Sequence, residues 1–157
     1  MNIFYLHPNT QKCASYHCDK HVVKMILESA QLLSTAHHEH DSPFSAQVYR
    51  KTHANHPSAI WTRESTRHYR WLYRLFEALS AEYTHRYSKT HKSFAKLASI
   101  LQNIPDNMPT TPWSDPPQCM PSIYKQCDTV SAYRAYYLGD KTFAEWRHSK
   151  KPHWFTK

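Results

Sequence analysis

An all-α fold is predicted for this chain: a compact helical bundle with one long aromatic-rich central helix and an irregular Pro-rich crossing segment. Three observations predict it. Apolar residues recur at three- and four-residue spacing through most of the sequence. Residues able to cap a helix or open its first turn stand just before these periodic stretches. The breakers are concentrated: there is a single glycine, and six prolines crowd into residues 104–121. A length of 157 residues fits one helical domain over 1–157 with a sizeable core.

Ile3-Phe4-Tyr5-Leu6 reads as a short strand or a buried N-terminal arm, and Pro8-Asn9-Thr10 as a turn and helix start. Between 17 and 35, Val22, Val23, Ile26, Leu27, Ala30 and Leu33 share one helical face. His17, His21, Lys24, Glu28 and Gln31 line the opposite one. His37 to Asp41 is a polar break. Pro57 suits a helix first turn, with Asn55 or His56 as cap. Trp61, Leu72, Leu75, Phe76, Leu79 and Tyr83 then predict one long helix, or two nearly collinear ones, through Tyr87. A further helix is expected over Ser93–Gln102, where Phe94, Leu97, Ile100 and Leu101 fall together. Residues 104–121 read as an ordered irregular crossing. Asp128 can cap a helix through Tyr137 and Leu138, with Gly139 as its left-handed C-cap. The tail from Lys141 to Phe155 mixes aromatics with bases.

Composition narrows the function. Lys and Arg total 20 against 12 acids, a net charge of +8 with all 13 histidines neutral. Such an excess points to a polyanionic partner, nucleic acid ahead of a membrane surface. Apolar runs of only a few residues exclude a spanning helix, and the first residues lack the basic region of a signal peptide. The expected location is cytoplasmic, in the bacterial host if the gene is phage-borne. Cys13, Cys18, Cys119 and Cys127 form no CxxC pair and read as reduced thiols. One glycine excludes a phosphate-binding loop, a Rossmann turn and a nucleophile elbow, so no cofactor is expected.

Several constellations could carry chemistry. Asp19 lies on the apolar side of its helix, either as a cap or as a partly buried carboxylate tuned by the helix dipole. Glu64 and His68 stand four apart; a carboxylate that fixes an imidazole shapes a pocket, or simply satisfies a half-buried histidine. Glu82 and Arg86 make an ordinary helix ion pair. Lys24 and Glu28 fit the same description, while Lys20, His21 and Lys24 could contact phosphates. Cys13, His17 and His21 spread over two turns, too splayed for a zinc site without a bend, so no metal is assigned. Arg67-His68-Tyr69-Arg70-Trp71-Leu72-Tyr73-Arg74 and Tyr133-Arg134-Ala135-Tyr136-Tyr137 interleave cations with flat rings. Rings stack on exposed bases and guanidinium groups hold phosphates, which suits a protein gripping a distorted or unpaired strand. Part of this aromatic set, Trp71 for one, is expected in the core.

The pattern Asp19-Lys20-His21, Lys24, Glu28, Gln31-Leu32-Leu33, Asn55-His56-Pro57 and Trp61, closing with Glu82-Tyr83-Thr84-His85-Arg86-Tyr87, resembles the pyrimidine-dimer DNA glycosylase (phage endonuclease V-like) superfamily, above all its small phage and bacterial relatives. The resemblance covers roughly residues 1–91; Tyr133 to Lys141 is also similar to the aromatic C-terminal segment of the phage enzyme. It implies an all-α repair fold that bends DNA and flips a base. It also implies attack on the sugar C1′ by the N-terminal amine, a Schiff base, assistance from a helix carboxylate, and β-elimination. An α-amine ordinarily titrates near 8, so part of it is uncharged nucleophile at neutral pH. Asn2 disfavours removal of the initiator, which leaves the amine to Met1. Asp19 and Glu28 compete for the carboxylate's place, and Asp19 is preferred for its position near the helix start.

The resulting expectation is a DNA-binding, base-excision-type N-glycosylase, with or without AP-lyase activity. Its substrate would be a damaged or modified base flipped from double-stranded DNA. Asp19, Met1, Glu28, Glu64 and His68 are the catalytic candidates; Lys20, His21, Lys24, Asn55, His56, Arg67, Arg70, Arg134 and Tyr136 are the candidates for nucleic-acid contact. A non-catalytic basic nucleic-acid-binding module and a His/Cys metal hydrolase are the competing readings.

Overall fold

The computed structural model describes residues 1–157 and contains six α-helices and no strand. After an extended arm come α1 (Thr10–Tyr16), α2 (Asp19–Glu39), α3 (Pro57–Glu64), α4 (Thr66–Tyr87), α5 (Lys92–Leu101) and α6 (Thr129–Asp140). Short 3₁₀ turns lie at Ser45–Gln47 and Ser122–Tyr124. None of the helices is long and apolar enough to cross a membrane.

Side-chain acceptors start most of the helices. Asn9 Oδ1 accepts from Lys12 N, His56 Nδ1 from Ser58 N, His91 Nδ1 from Ser93 N, and Asp128 Oδ2 from Ser131 N. Pro57 occupies the first turn of α3, where its missing N–H costs nothing. Ser65, with an extended backbone, divides α3 from α4 and caps the latter through Arg67 N. The long aromatic segment is therefore two helices.

α2 and α4 form the centre, with α3 and α5 against both and α1 against α4. A cluster of 27 buried residues runs from Ile3 through Leu33, Tyr69 and Leu79 to Phe155. Ile3, Phe4, Tyr5 and Leu6 are a buried arm with no strand pairing.

The expected faces of α2 need correction. Val23 and Leu27 are 40% and 41% exposed, whereas His21 and Glu28 are buried. Val22, Ile26, Ala30 and Leu33 are buried as expected, and the buried face extends round to 21, 25, 28 and 32, because the arm and α6 cover that side: Phe4 stacks on His21 at 4.3 Å and Tyr137 Oη lies 2.6 Å from His21 Nδ1. Aromatic partners make a polar ridge buriable.

Gly139 also differs from expectation. It lies inside α6 and no glycine has a positive φ. A Cβ at 139 would overlap the Tyr124 ring, whose hydroxyl donates to Asp140 Oδ1 at 2.7 Å; close approach is what requires glycine here.

Residues 104–121 form the irregular strap. Thr66 N donates to Pro109 O, Ser65 Oγ to Thr111 O, and Trp61 Nε1 to Ser114 O. Proline-rich backbone has few donors of its own, so the helices beneath supply them.

Candidate active site

The arm positions the first residue. Cys13 Sγ donates to Phe4 O at 3.2 Å and Arg134 Nε to Leu6 O at 3.0 Å, while Leu6 is fully buried. The Met1 side chain is only 4% exposed although the residue as a whole is half-buried, so its backbone end is the part open to solvent. The α-amine lies 3.2 Å from Glu28 Oε1, and Lys24 Nζ lies 3.8 Å from Glu28 Oε2. The Glu28 side chain is 11% exposed. Glu28 Oε2 and Asn2 Oδ1 are both buried acceptors with no hydrogen-bond partner. Each such group costs about 1–3 kcal/mol, and this end of the arm is short of donors, not acceptors.

His56, the cap of α3, borders the same place. Burial lowers its pKa, the Met1 amine and His53 lower it further, and Glu28 opposes them. The structure thus brings together Met1, Lys24, Glu28 and His56, from the arm, α2 and the start of α3.

Asp19 stands elsewhere. It is nine residues before Glu28 on α2, about 13 Å along the helix axis. Its Oδ1 accepts from Arg86 Nη1 at 3.1 Å and its Oδ2 from the backbone N of Arg147 at 2.9 Å. Arg86, with a wholly buried side chain, also donates to Glu82 Oε2, His17 O and Ser15 O. The simple Glu82–Arg86 pair expected from spacing is thus the smallest part of a clamp joining the end of α4 to the α1–α2 junction. The C-terminal segment seals it, since Asp19 N donates to Glu145 O.

Glu64 and His68 do not form the expected pair. Glu64 is exposed, and His68 Nδ1 donates to Trp61 O at 2.8 Å while its Nε2 accepts from Ser114 N at 3.1 Å. Its ring stacks on Trp61 at 4.3 Å. Burial lowers its pKa, and the two bonds fix a neutral tautomer that pins the strap to α3.

The contact candidates divide in the same way. Lys20, Lys24, Asn55, Arg67 and Arg70 are exposed. His21 is enclosed by Phe4, Tyr137 and Phe143. Arg134 is committed to Leu6 O, with its guanidinium 5.6 Å from the Tyr16 ring centroid and 5.3 Å from that of Trp154. Tyr133 and Tyr137 are core, and Tyr136 is half-buried against Phe4 with Lys141 4.2 Å from its ring centroid. Cys13, His17 and His21 gather no ligand set: the thiol serves Phe4 O, and His17 Nδ1 serves Cys13 O at 2.7 Å.

Sequence reasoning missed two things: Asn2, whose Oδ1 is a buried, unpartnered acceptor, and Trp113, which lies inside the strap and outside any periodic stretch. Arg74 was already in view as the last cation of the interleaved run, one turn beyond Arg70.

Fold and site define a helical protein with a backbone amine and a carboxylate in contact near its surface, on a chain of high positive charge. Residues 1–95 match the family described as pyrimidine dimer DNA glycosylase, and the chain belongs to that family. DNA is accordingly its class of substrate. No curated protein and no solved structure matches the chain.

Proposed function

We propose that the protein is a DNA N-glycosylase with AP-lyase activity, in which the Met1 amine is the nucleophile and Glu28 handles its proton. The 3.2 Å contact between the two carries the reading. The amine lone pair adds to C1′ of a flipped nucleotide as the bond from C1′ to the base breaks. The base leaves with that electron pair and is protonated. An amine proton passes to Glu28, the nitrogen lone pair then forms C1′=N as the C1′–O4′ bond breaks, and O4′ leaves with that electron pair and takes the proton back from Glu28, which gives the Schiff base. Loss of a C2′ proton then expels the 3′ phosphate. Lys24, beside the other Glu28 oxygen, keeps a positive charge near the carboxylate through these steps. His56 at the rim, Lys20 and Asn55 are contacts for the strand. Asp19, preferred on sequence grounds, serves structure instead, because both its oxygens are engaged by Arg86 and Arg147.

Borohydride trapping on a duplex with one abasic site tests the reading, after intact mass has established that Met1 is the first residue. Native protein should give a covalent adduct, and N-terminally acetylated protein none. Glu28→Gln should slow strand cleavage by about a hundredfold or more. An adduct that survives acetylation overturns the assignment of the nucleophile. No adduct with either form overturns the lyase.

A further inference from the structure

We infer that α4 and the strap form a separate binding cleft for a short stretch of single-stranded DNA, seating one unpaired base with the arginines on the phosphates beside it. The cleft is lined by Arg67, Arg70, Trp71, Arg74 and Trp113 and contains none of the residues of the Met1–Glu28 site. Its volume is about 280 Å³.

Three features support it. Arg67, Arg70 and Arg74 are all exposed, at spacings of three and four on one helix face. None of the chain's six ion pairs involves them, although acids are present on the same helix. Three unneutralised guanidinium groups on one face repel one another and favour a polyanion. The second feature is the pair of indoles. Trp113 is 37% exposed, and its ring lies 5.9 Å from that of Trp71. Both are held in place: Trp71 Nε1 donates to Pro8 O, Trp113 Nε1 to the exposed Asp115 Oδ1, and Tyr5 and Trp61 pack against both rings. A rigid indole beside cations is a stacking platform for an unpaired base.

The third is polarity along α4. Arg74 also borders the neighbouring groove of Glu77, Glu82 and His85, where acids replace the arginines. A bound strand therefore ends near Arg74. From Arg67 to Arg74 is about 10 Å of helix, along which the three guanidinium groups can each meet a phosphate of a short strand. An intact duplex offers phosphates to the arginines but no unpaired base to the indoles, so a single strand is the occupant that uses both.

The inference rests on the reading of a DNA-acting enzyme but not on its chemistry. A fluorescent ten-residue deoxythymidylate strand is the probe, titrated by anisotropy and tryptophan emission over a range of salt. Wild-type protein and Glu28→Gln should bind alike, with quenched emission. The triple variant Arg67→Gln/Arg70→Gln/Arg74→Gln should keep its Tm and catalytic contact, and lower the slope of log K against log salt by about 2, at about 0.7 per lost phosphate contact. Trp113→Leu should weaken binding by about fivefold or more. An unchanged slope in the triple variant, or a duplex of equal length that binds as tightly and quenches as much, overturns the inference. Loss of trapping in Glu28→Gln with retained strand binding leaves the cleft intact, so the two readings fail separately.

Discussion

Asp19 and Glu28 are two carboxylates on one helix with opposite surroundings. Asp19 is consumed by hydrogen bonds to Arg86 and the Arg147 backbone. Glu28 has one oxygen on the Met1 amine and the other without a hydrogen-bond partner. A group fully engaged in the ground state is a poor proton acceptor, and a half-engaged one is free to act. Asp19→Asn should therefore lower stability by about 1–3 kcal/mol, read from urea unfolding, and leave abasic-site cleavage near the native rate. A large loss of cleavage in a folded Asp19→Asn would return the catalytic role to Asp19. The sequence supplied both acids and the Met1 amine and ranked Asp19 first, for its position near the helix start. Arg86, whose bond to Asp19 favours Glu28 in the proposal, is 67 positions from Asp19, and only the fold reveals that contact.

At the scale of elements, caps were legible because they are local chemistry, but the polar break expected from His37 was not: α2 runs on to Glu39, and His37 is buried between Ser42 Oγ and Tyr69 Oη. His56, Pro57 and Asp128 start helices where their side chains say they should. The phase of α2 was legible only in part: Val22, Ile26, Ala30 and Leu33 are buried as their spacing says, but Val23 and Leu27 look like core residues and are exposed, while His21 and Glu28 do not and are buried. Which ridge is buried depends on the arm and α6, both distant in sequence. The interleaved run at Tyr133 misled for the same reason: its rings are core because Phe4 lies beside them. The arm is the element that couples stability to the candidate site. Leu6→Ala should cost about 2–5 kcal/mol, as for other fully buried leucines. It should also reduce borohydride trapping at temperatures where circular dichroism shows the helices intact, because the arm carries Met1. Trapping that follows only the folded fraction would show that the arm does not position the amine.

For the whole molecule, acid is the natural stress. His17 and His21 are buried and neutral. Burial, with Arg86 adding to it, lowers the His17 pKa to about 4; burial, with His17, Lys141 and Lys24 adding to it, lowers that of His21 to about 3. His17 Nδ1 must donate to the Cys13 carbonyl, which leaves Nε2 buried and unpartnered. In the unfolded chain both rings titrate near the ordinary value of about 6.5. Below that pH the unfolded chain binds protons that the native one refuses, so stability falls as pH drops from about 6.5 towards 4. The slope should reach at most about 1.4 kcal/mol per pH unit for each histidine. Urea midpoints at pH 7, 5.5 and 4.5 measure it, and a flat profile across that range would contradict the buried neutral rings.

The seating of Met1 has a practical consequence for anyone producing the protein. Its side chain is sunk in the core and its nitrogen touches Glu28, so a leading peptide of any length must pass through that contact and turn the amine into an amide. Purification handles therefore belong at the other end. There Phe155 is the last buried residue, and Thr156 and Lys157 already project into water.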